Sequence, residues 1–172
     1  MIKKIALSLV LVVGINALEV GKVVKPVTLE GKNGGLVKDG AKWNSDSLKG
    51  RVSVIFYVDP DEKEVNAKFS KIVERQKFDK ENFIKVAIIN LSATWKPDFV
   101  IEKLLSSQQK ELPHNIYLKD KKSFFVREWG LKDDASNVVI LSKEGKVLFS
   151  KSDVMNEYEI QKALSIVKKA LN

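Results

Sequence analysis

The chain has 172 residues, of which 44% are hydrophobic and 30% charged, and its formal net charge at pH 7 is +8. This length and composition fit one globular domain. The chain contains no cysteine, which excludes disulfides, thiolate metal sites and every thiol-based redox mechanism. Its lysines are spread along the sequence without an arginine cluster or a basic-aromatic motif, so the excess charge indicates a solvated basic surface and no nucleic-acid site.

Residues 1–17 have the pattern of a cleaved secretory signal peptide. Lys3 and Lys4 form a short basic region, and the apolar run 5–15 is shorter than a membrane-spanning helix requires. Ala17 precedes the predicted cleavage site. Removing Lys3 and Lys4 from the 30 basic residues, against 22 acidic ones, leaves a mature chain with a charge of +6. We predict export to the periplasm without a stable membrane span, and the alternative is an uncleaved membrane anchor.

The stretch around which the chain is organised is the apolar run Val52–Val58. Its β-branched and aromatic residues predict a strand buried on both faces, as in the centre of an α/β sheet. A helix start follows directly, since Asp59 can cap, Pro60 suits the first helical position and Glu62 can complete a capping box. We therefore predict a helix over 61–78. Its inward face would be Val65, Phe69, Ile72 and Val73.

The remaining elements alternate between strands and helices. In chain order we predict an edge strand at most over 23–29, a short strand within 34–40, a strand at 84–91, a helix at 97–105, a strand at 115–118, a short helix at 123–130, a hairpin over 138–150 and a last helix capped by Asn156 and Glu159. The helix 97–105 would turn inward Val100, Ile101, Leu104 and Leu105. A βαβ unit lays its strands parallel, whereas a hairpin adds antiparallel ones, so the order predicts an α/β domain with a mixed sheet.

Several short motifs carry a family resemblance. They are Leu48-Lys49-Gly50-Arg51-Val52 before a strand that ends in Phe56-Tyr57, then Trp129-Gly130-Leu131, and a hairpin containing Lys143-Glu144-Gly145-Lys146-Val147. In this order they resemble the thioredoxin-like fold in its TlpA/peroxiredoxin-type form. Together with Trp43-Asn44-Ser45, they resemble the bacterial YtfJ family over about residues 18–171. The resemblance implies a three-layer sandwich with a central mixed sheet flanked by helices, and a small exported protein of undefined biochemical role.

The sequence departs from its redox-active counterparts at the working positions. In thioredoxin-like oxidoreductases two cysteines straddle the helix start, and a cis-proline faces them. Counting from Phe56 places Asp61 and Glu64 at the cysteine positions, and counting back from the hairpin places Ser136 at the proline position. We therefore expect neither thiol-disulfide exchange nor peroxidase activity. The first hypothesis is a non-catalytic binding or accessory module with no cofactor, whose docking face comprises Asp61, Glu64 and Ser136 and whose partner is another periplasmic protein.

The alternative hypothesis is a carboxylate- or metal-dependent enzyme acting on the same face. The carboxylates at 59, 61, 62 and 64, joined by Asp133 and Asp134, are its candidate groups. Successive helical residues point in different directions, so capping and interaction with the helix dipole explain these acids more simply. No catalytic residue and no metal ligand is therefore assigned.

Aromatic residues and the single histidine complete the candidates. Trp95, beside Lys96 and Pro97, is expected to be exposed and is the binding candidate, whereas Trp129 is expected in the core. His114 follows a proline at a strand entry. Because no serine or acid accompanies it in a recognisable motif, we expect a surface or packing role.

Overall fold

The computed structural model describes residues 18–172, and the predicted signal peptide at 1–17 lies outside them. The strands of the described part are β1 (Thr28–Leu29), β2 (Gly34–Leu36), β3 (Trp43–Asn44), β4 (Val52–Val58), β5 (Phe83–Asn90), β6 (Ile116–Asp120), β7 (Ser136–Leu141) and β8 (Val147–Ser152). Its α-helices are α1 (Ala67–Arg75), α2 (Asp98–Glu111), α3 (Phe124–Trp129) and α4 (Glu157–Leu171). Short 3-10 turns lie at Gly31–Asn33, Ser45–Leu48, Pro60–Glu62 and Leu91–Ala93.

A six-stranded mixed sheet organises the domain, with the strand order β2-β6-β5-β4-β7-β8. The central strands β4, β5 and β6 are parallel, and β2, β7 and β8 each run antiparallel to their neighbours. The strands β1 and β3 form a separate two-stranded sheet. At the β2 edge, an ideal Cβ on Gly34 would lie 1.8 Å from the carbonyl oxygen of Lys119, and its φ is 127°. Only glycine fits this close approach between strands.

The strand β4 is buried along its whole length, as its apolar run predicts. Its side chains alternate between two hydrophobic layers because successive strand residues point to opposite faces. Val54 and Phe56 pack with residues of α1 and α4, such as Phe69 and Val167. Ile55 on the opposite face packs with α3 and with the small sheet.

Helices therefore cover the sheet on both faces. The helix α2 adds a smaller cluster beside β6, in which Ile101 and Leu105 contact Leu91 and Tyr117. The predicted three-layer, thioredoxin-like α/β sandwich is confirmed. No helix within residues 18–172 is long and apolar enough to cross a membrane.

The predicted start of α1 is wrong. The chain after β4 forms the 3-10 turn Pro60–Glu62 and a further turn, and the α-helix begins only at Ala67. Asp59 does cap its turn by accepting from the backbone of Asp61, but Glu62 makes no side-chain hydrogen bond to complete a capping box. At Asn66 the backbone is non-helical (φ −112°, ψ 20°), and its side chain binds distant segments, which delays the helix.

The predicted inward face of α2 is only half right. Ile101 and Leu105 are buried, but Val100 and Leu104 are 39% and 55% exposed. Each exposed residue precedes a buried one, so it lies about 100° around the helix from it. A helix with a narrow contact against β6 leaves that second stripe in solvent. The local signals of the hairpin and of α4 are confirmed, since Gly145 has a φ of 79° and Asn156 forms a capping box with Glu159.

Candidate functional site

The candidate site lies where the central parallel strands end. In open α/β sheets the loops at the carboxyl ends of parallel strands form the usual sites. Here the turn after β4 meets the segment after β5 and the loop before β7. The backbone N–H of Asp59 donates to the carbonyl of Ala135 at 3.0 Å, which joins the first of these segments to the last.

Asp59 is a structural acid of the first turn. Asp59 is only 5% exposed, and its Oδ1 accepts a hydrogen bond from the backbone N–H of Asp61 at 2.8 Å. Burial raises the pKa of Asp59 above its usual range, and the hydrogen bond from Asp61 opposes that rise. The carboxylate is thus committed to the turn that it stabilises.

Asp61 binds the segment after β5 through both carboxylate oxygens. The hydroxyl of Thr94 donates to Oδ2 at 3.0 Å, and the ammonium of Lys96 forms an ion pair with Oδ1. Hydrogen bonds from Lys96 and then Thr94 hold the pKa of Asp61 below its usual range. Trp95 lies between these partners and is 86% exposed. The structure therefore brings together Asp61 and Trp95, which the sequence analysis selected separately, and confirms that Trp95 is exposed.

The other members of the predicted docking face have different environments. Glu64 is exposed, and its described ionic contact is with the neighbouring Lys63 at 4.0 Å. Ser136 is 2% exposed and pairs with Val58 in the sheet. Its hydroxyl accepts from the Asn66 side chain at 3.1 Å. Ser136 therefore supports the loop from inside and presents no side chain to the surface.

Further exposed apolar residues follow Trp95 on α2. Phe99 is 72% exposed, and Val100 and Leu104 are also exposed. We call Trp95, Phe99, Val100 and Leu104 the α2 apolar surface. Large apolar side chains grouped in solvent are unusual on a monomeric protein and mark interaction surfaces.

A buried polar network supports the same end of the sheet, and sequence reasoning missed it. Asp120 is fully buried, and its Oδ2 accepts from the hydroxyl of Tyr57 at 3.2 Å and from the backbone of Phe125 at 3.1 Å. Burial and then the charge of Asp120 raise the pKa of the Tyr57 phenol far above its usual value. Asn90 donates to Asp133 at 2.7 Å. The sequence did contain a signal for this network: the apolar strands β5 and β6 each end in a polar residue, Asn90 and Asp120.

Three of the six carboxylates proposed for a metal site each have a separate partner. Asp61 faces Lys96, Asp133 faces Asn90, and Asp59 closes its own turn. Among residues 18–172, no group of three or more histidine, aspartate or glutamate side chains is arranged to hold a metal ion. The other candidates lie elsewhere: Trp129 is fully buried in the core, as predicted, and His114 is exposed at the far end of the sheet.

A family described as bacterial protein of unknown function, YtfJ_HI0045, matches residues 19–170. The chain belongs to this family. It is 26% identical over 161 residues to the uncharacterized protein YtfJ of Escherichia coli K12, covering 89% of this chain and 87% of that protein. It is also 27% identical over 128 residues to an uncharacterized protein of Haemophilus influenzae Rd, covering 73% of this chain and 70% of that one. The resemblance stated from the motifs is thereby confirmed.

Solved structures similar to this YtfJ_HI0045 family member have thioredoxin-like folds. A Chlorobium tepidum structure described as a thiol:disulfide interchange protein DsbE has a TM-score of 0.66 at 16% identity, over 91% of this chain and all (100%) of that one. The exposed lipoprotein thioredoxin Etrx1 of Streptococcus pneumoniae has a TM-score of 0.55 at 15% identity, over 82% and 98%. At such identities the similarity shows the fold alone. This family member has that fold without any cysteine.

Proposed function

We propose that this family member is an exported, non-catalytic binding or accessory module that docks another periplasmic protein. The observation that carries the proposal is the exposure of Trp95 on a segment that Asp61 holds. Thr94 and Lys96 on either side of it bind Asp61, so the backbone segment that carries the exposed indole is tied to the turn after β4. An exposed aromatic side chain on a fixed backbone segment can serve as an anchor, because the segment loses little conformational entropy on binding.

The chemistry of the surface indicates the kind of partner. The turn Asp59–Glu64 carries four carboxylates and one lysine, in a chain whose overall charge is positive. The α2 apolar surface lies beside this acidic turn, because Asp61 binds the residues that flank Trp95. A partner surface with an apolar centre and basic residues at its rim would match both features.

The proposed export is supported by the signal pattern of residues 1–17. The fold is consistent with it, since one structural neighbour is described as an exposed lipoprotein. The alternative, a carboxylate-dependent enzyme, is favoured by one observation: Asp59 is buried with a raised pKa, a property common among acid-base catalysts. We nevertheless favour the binding module, because the Asp59 carboxylate is already hydrogen-bonded within its own turn.

Site-specific cross-linking tests the docking proposal. A photo-reactive amino acid replaces Trp95 in one variant and Tyr158 in the control; Tyr158 is also an exposed aromatic residue, at 73%, but lies on α4. We expect one periplasmic protein to be cross-linked from position 95 and none from position 158. The purified partner should then bind Trp95→Ala and the double variant Asp61→Lys, Glu64→Lys about tenfold or more weakly than wild type.

The control variant Tyr158→Ala should bind as wild type does, and all variants should melt within a few degrees of wild type. If the same partner is cross-linked equally from both positions, or if Trp95→Ala binds it with unchanged affinity, the α2 apolar surface is not the docking site.

A further inference from the structure

A cleft of about 660 Å³ opens at the end of the sheet opposite the candidate docking site. Arg51 immediately precedes β4, Phe83 begins β5, and Asn115 immediately precedes β6, and all of them line the cleft. The amino ends of the parallel strands therefore form its floor. Its volume lies within the range of small-molecule sites, roughly 300–1,000 Å³.

One wall of the cleft is apolar and aromatic. Phe78 and Phe83 both line it, with their ring centroids 4.9 Å apart. Val73 and Leu112 extend the wall from α1 and from the end of α2. Such a wall favours a ligand with a hydrocarbon or aromatic portion.

The rim of the cleft is basic. Arg51, Lys77 and Lys80 line it, and among the described residues no carboxylate lies within 4.0 Å of their charged groups. Two acids also line it. Glu74 forms an ion pair with Lys85 at 3.0 Å and accepts a hydrogen bond from Asn115 at 3.2 Å. Glu111 is exposed at the end of α2. The balance of charge favours an anion.

The backbone of Lys77 is held in a conformation that favours glycine. Its φ is 49°, in the left-handed region, just after α1 ends. Glycine is the usual residue at this position of a helix terminus, because a side chain there costs conformational energy. A lysine in this place carries its charge to the rim of the cleft. Strained backbone of this kind concentrates at functional sites.

We propose that this cleft binds a small anionic ligand with an apolar body, whose carboxylate or phosphate head contacts Arg51, Lys77 and Lys80. The apolar body would lie against Phe78 and Phe83. This site is independent of the docking function, because it lies at the other end of the sheet.

Titrations monitored by amide resonances test the proposal. The probes are octanoate and octyl phosphate as anionic amphiphiles, acetate as the anion alone, and octyltrimethylammonium as the cationic counterpart. We expect octanoate or octyl phosphate to shift the amides of Lys77, Phe83 and Asn115 saturably, and the tighter of the two identifies the head group. Acetate and the cationic probe should each bind about tenfold or more weakly.

Variants separate binding from folding. The variant Lys77→Gly should bind the anionic probe more weakly and melt no lower than wild type, because glycine suits the backbone there. The triple variant Lys77→Gly, Arg51→Gln, Lys80→Gln should lose about tenfold or more in affinity. The matched control Lys32→Gln, Lys38→Gln, Lys168→Gln removes the same number of positive charges, from exposed lysines elsewhere, and should bind as wild type does.

Three results would overturn the proposal. The first is equal binding of the cationic and anionic amphiphiles. The second is a set of shifts centred on the α2 apolar surface, which would indicate unspecific apolar contact. The third is unchanged affinity of Lys77→Gly together with unchanged affinity of the triple variant.

Discussion

Asn66 binds Ser136 across 70 positions of sequence, with its Nδ2 3.1 Å from the Ser136 hydroxyl and 3.2 Å from the Ser136 carbonyl oxygen. The same nitrogen lies 2.9 Å from the carbonyl of Asp153, and the Asn66 Oδ1 accepts from the backbone of Met155 at 3.1 Å. One buried amide therefore joins the start of α1 to β7 and to the segment before α4.

We predict that Asn66→Ala lowers the free energy of unfolding by about 2–4 kcal/mol, because it leaves several buried polar groups without partners. Urea denaturation of the purified protein measures this. The control is Asn172→Ala at the exposed end of α4, which should change stability by less than about 0.5 kcal/mol. A loss below about 1 kcal/mol for Asn66→Ala would show that the segments hold together without it.

Two buried tryptophans form a matched pair for a second prediction. The Trp129 indole donates to the carbonyl of Lys25 at 2.7 Å, whereas the Trp43 Nε1 is buried without a hydrogen-bond partner among the described residues. Replacement by phenylalanine removes the same atoms in both. We expect Trp129→Phe to cost about 1–2 kcal/mol more than Trp43→Phe, since only the former breaks a hydrogen bond. Equal losses in chemical denaturation would contradict this difference.

The Tyr57 phenol leads to a prediction about high pH. Its pKa is raised in the folded protein by burial and by Asp120, whereas in the unfolded chain it returns to about the ordinary value of 10.0. The folded state then holds the proton more tightly, so the stabilisation is complete below pH 10 and is lost as the pH rises above it. Compared with Tyr57→Phe, wild type should lose more stability between pH 9 and about 11. Parallel pH dependences of the two proteins would refute this.

Export yields a prediction about the mature chain. Intact-mass measurement of protein purified from the native periplasm should show a chain that begins near Leu18, because the basic start and short apolar run predict cleavage after Ala17. The control is the same protein from cells in which Lys3 and Lys4 are replaced by glutamate, which should accumulate uncleaved. A full-length chain that only detergent extracts would favour the membrane anchor instead.

Local signals made much of the fold predictable. The apolar run of β4 matched the strand residue for residue, and the capping box of α4 matched its start, because each depends on neighbours in sequence. The start of α1 was missed because the Asn66 side chain hydrogen-bonds to Ser136 and Asp153, and no local sequence pattern encodes these distant contacts. The exposure of Leu104 was missed because apolar spacing does not report how wide a contact the sheet offers.

The candidate site was predictable only in parts. Counting from Phe56 selected Asp61, and the neighbouring Lys96 and Pro97 selected Trp95. The sequence did not indicate that the two residues lie near each other. The joining contacts run from Asp61 to Thr94 and Lys96, more than 30 positions away. Likewise, the buried Asp120 on β6 accepts a hydrogen bond from Tyr57 on β4, two strands away, a contact that only the folded sheet brings about.

The edge strand β2, which contains Gly34, bears on the order in which the chain folds. Among the strands of residues 18–172, β2 pairs only with β6, so residues 34–36 have no sheet partner there until residues near 120 have been synthesised and positioned. Closing so long a loop carries an entropic cost before any contact repays it. We therefore expect residues 34–36 to pair late in folding, after the parallel strands have formed. A bulkier residue at Gly34 would collide with Lys119 and hinder the pairing of β2 with β6. The edge of β6 would then stay unpaired and could pair with other chains.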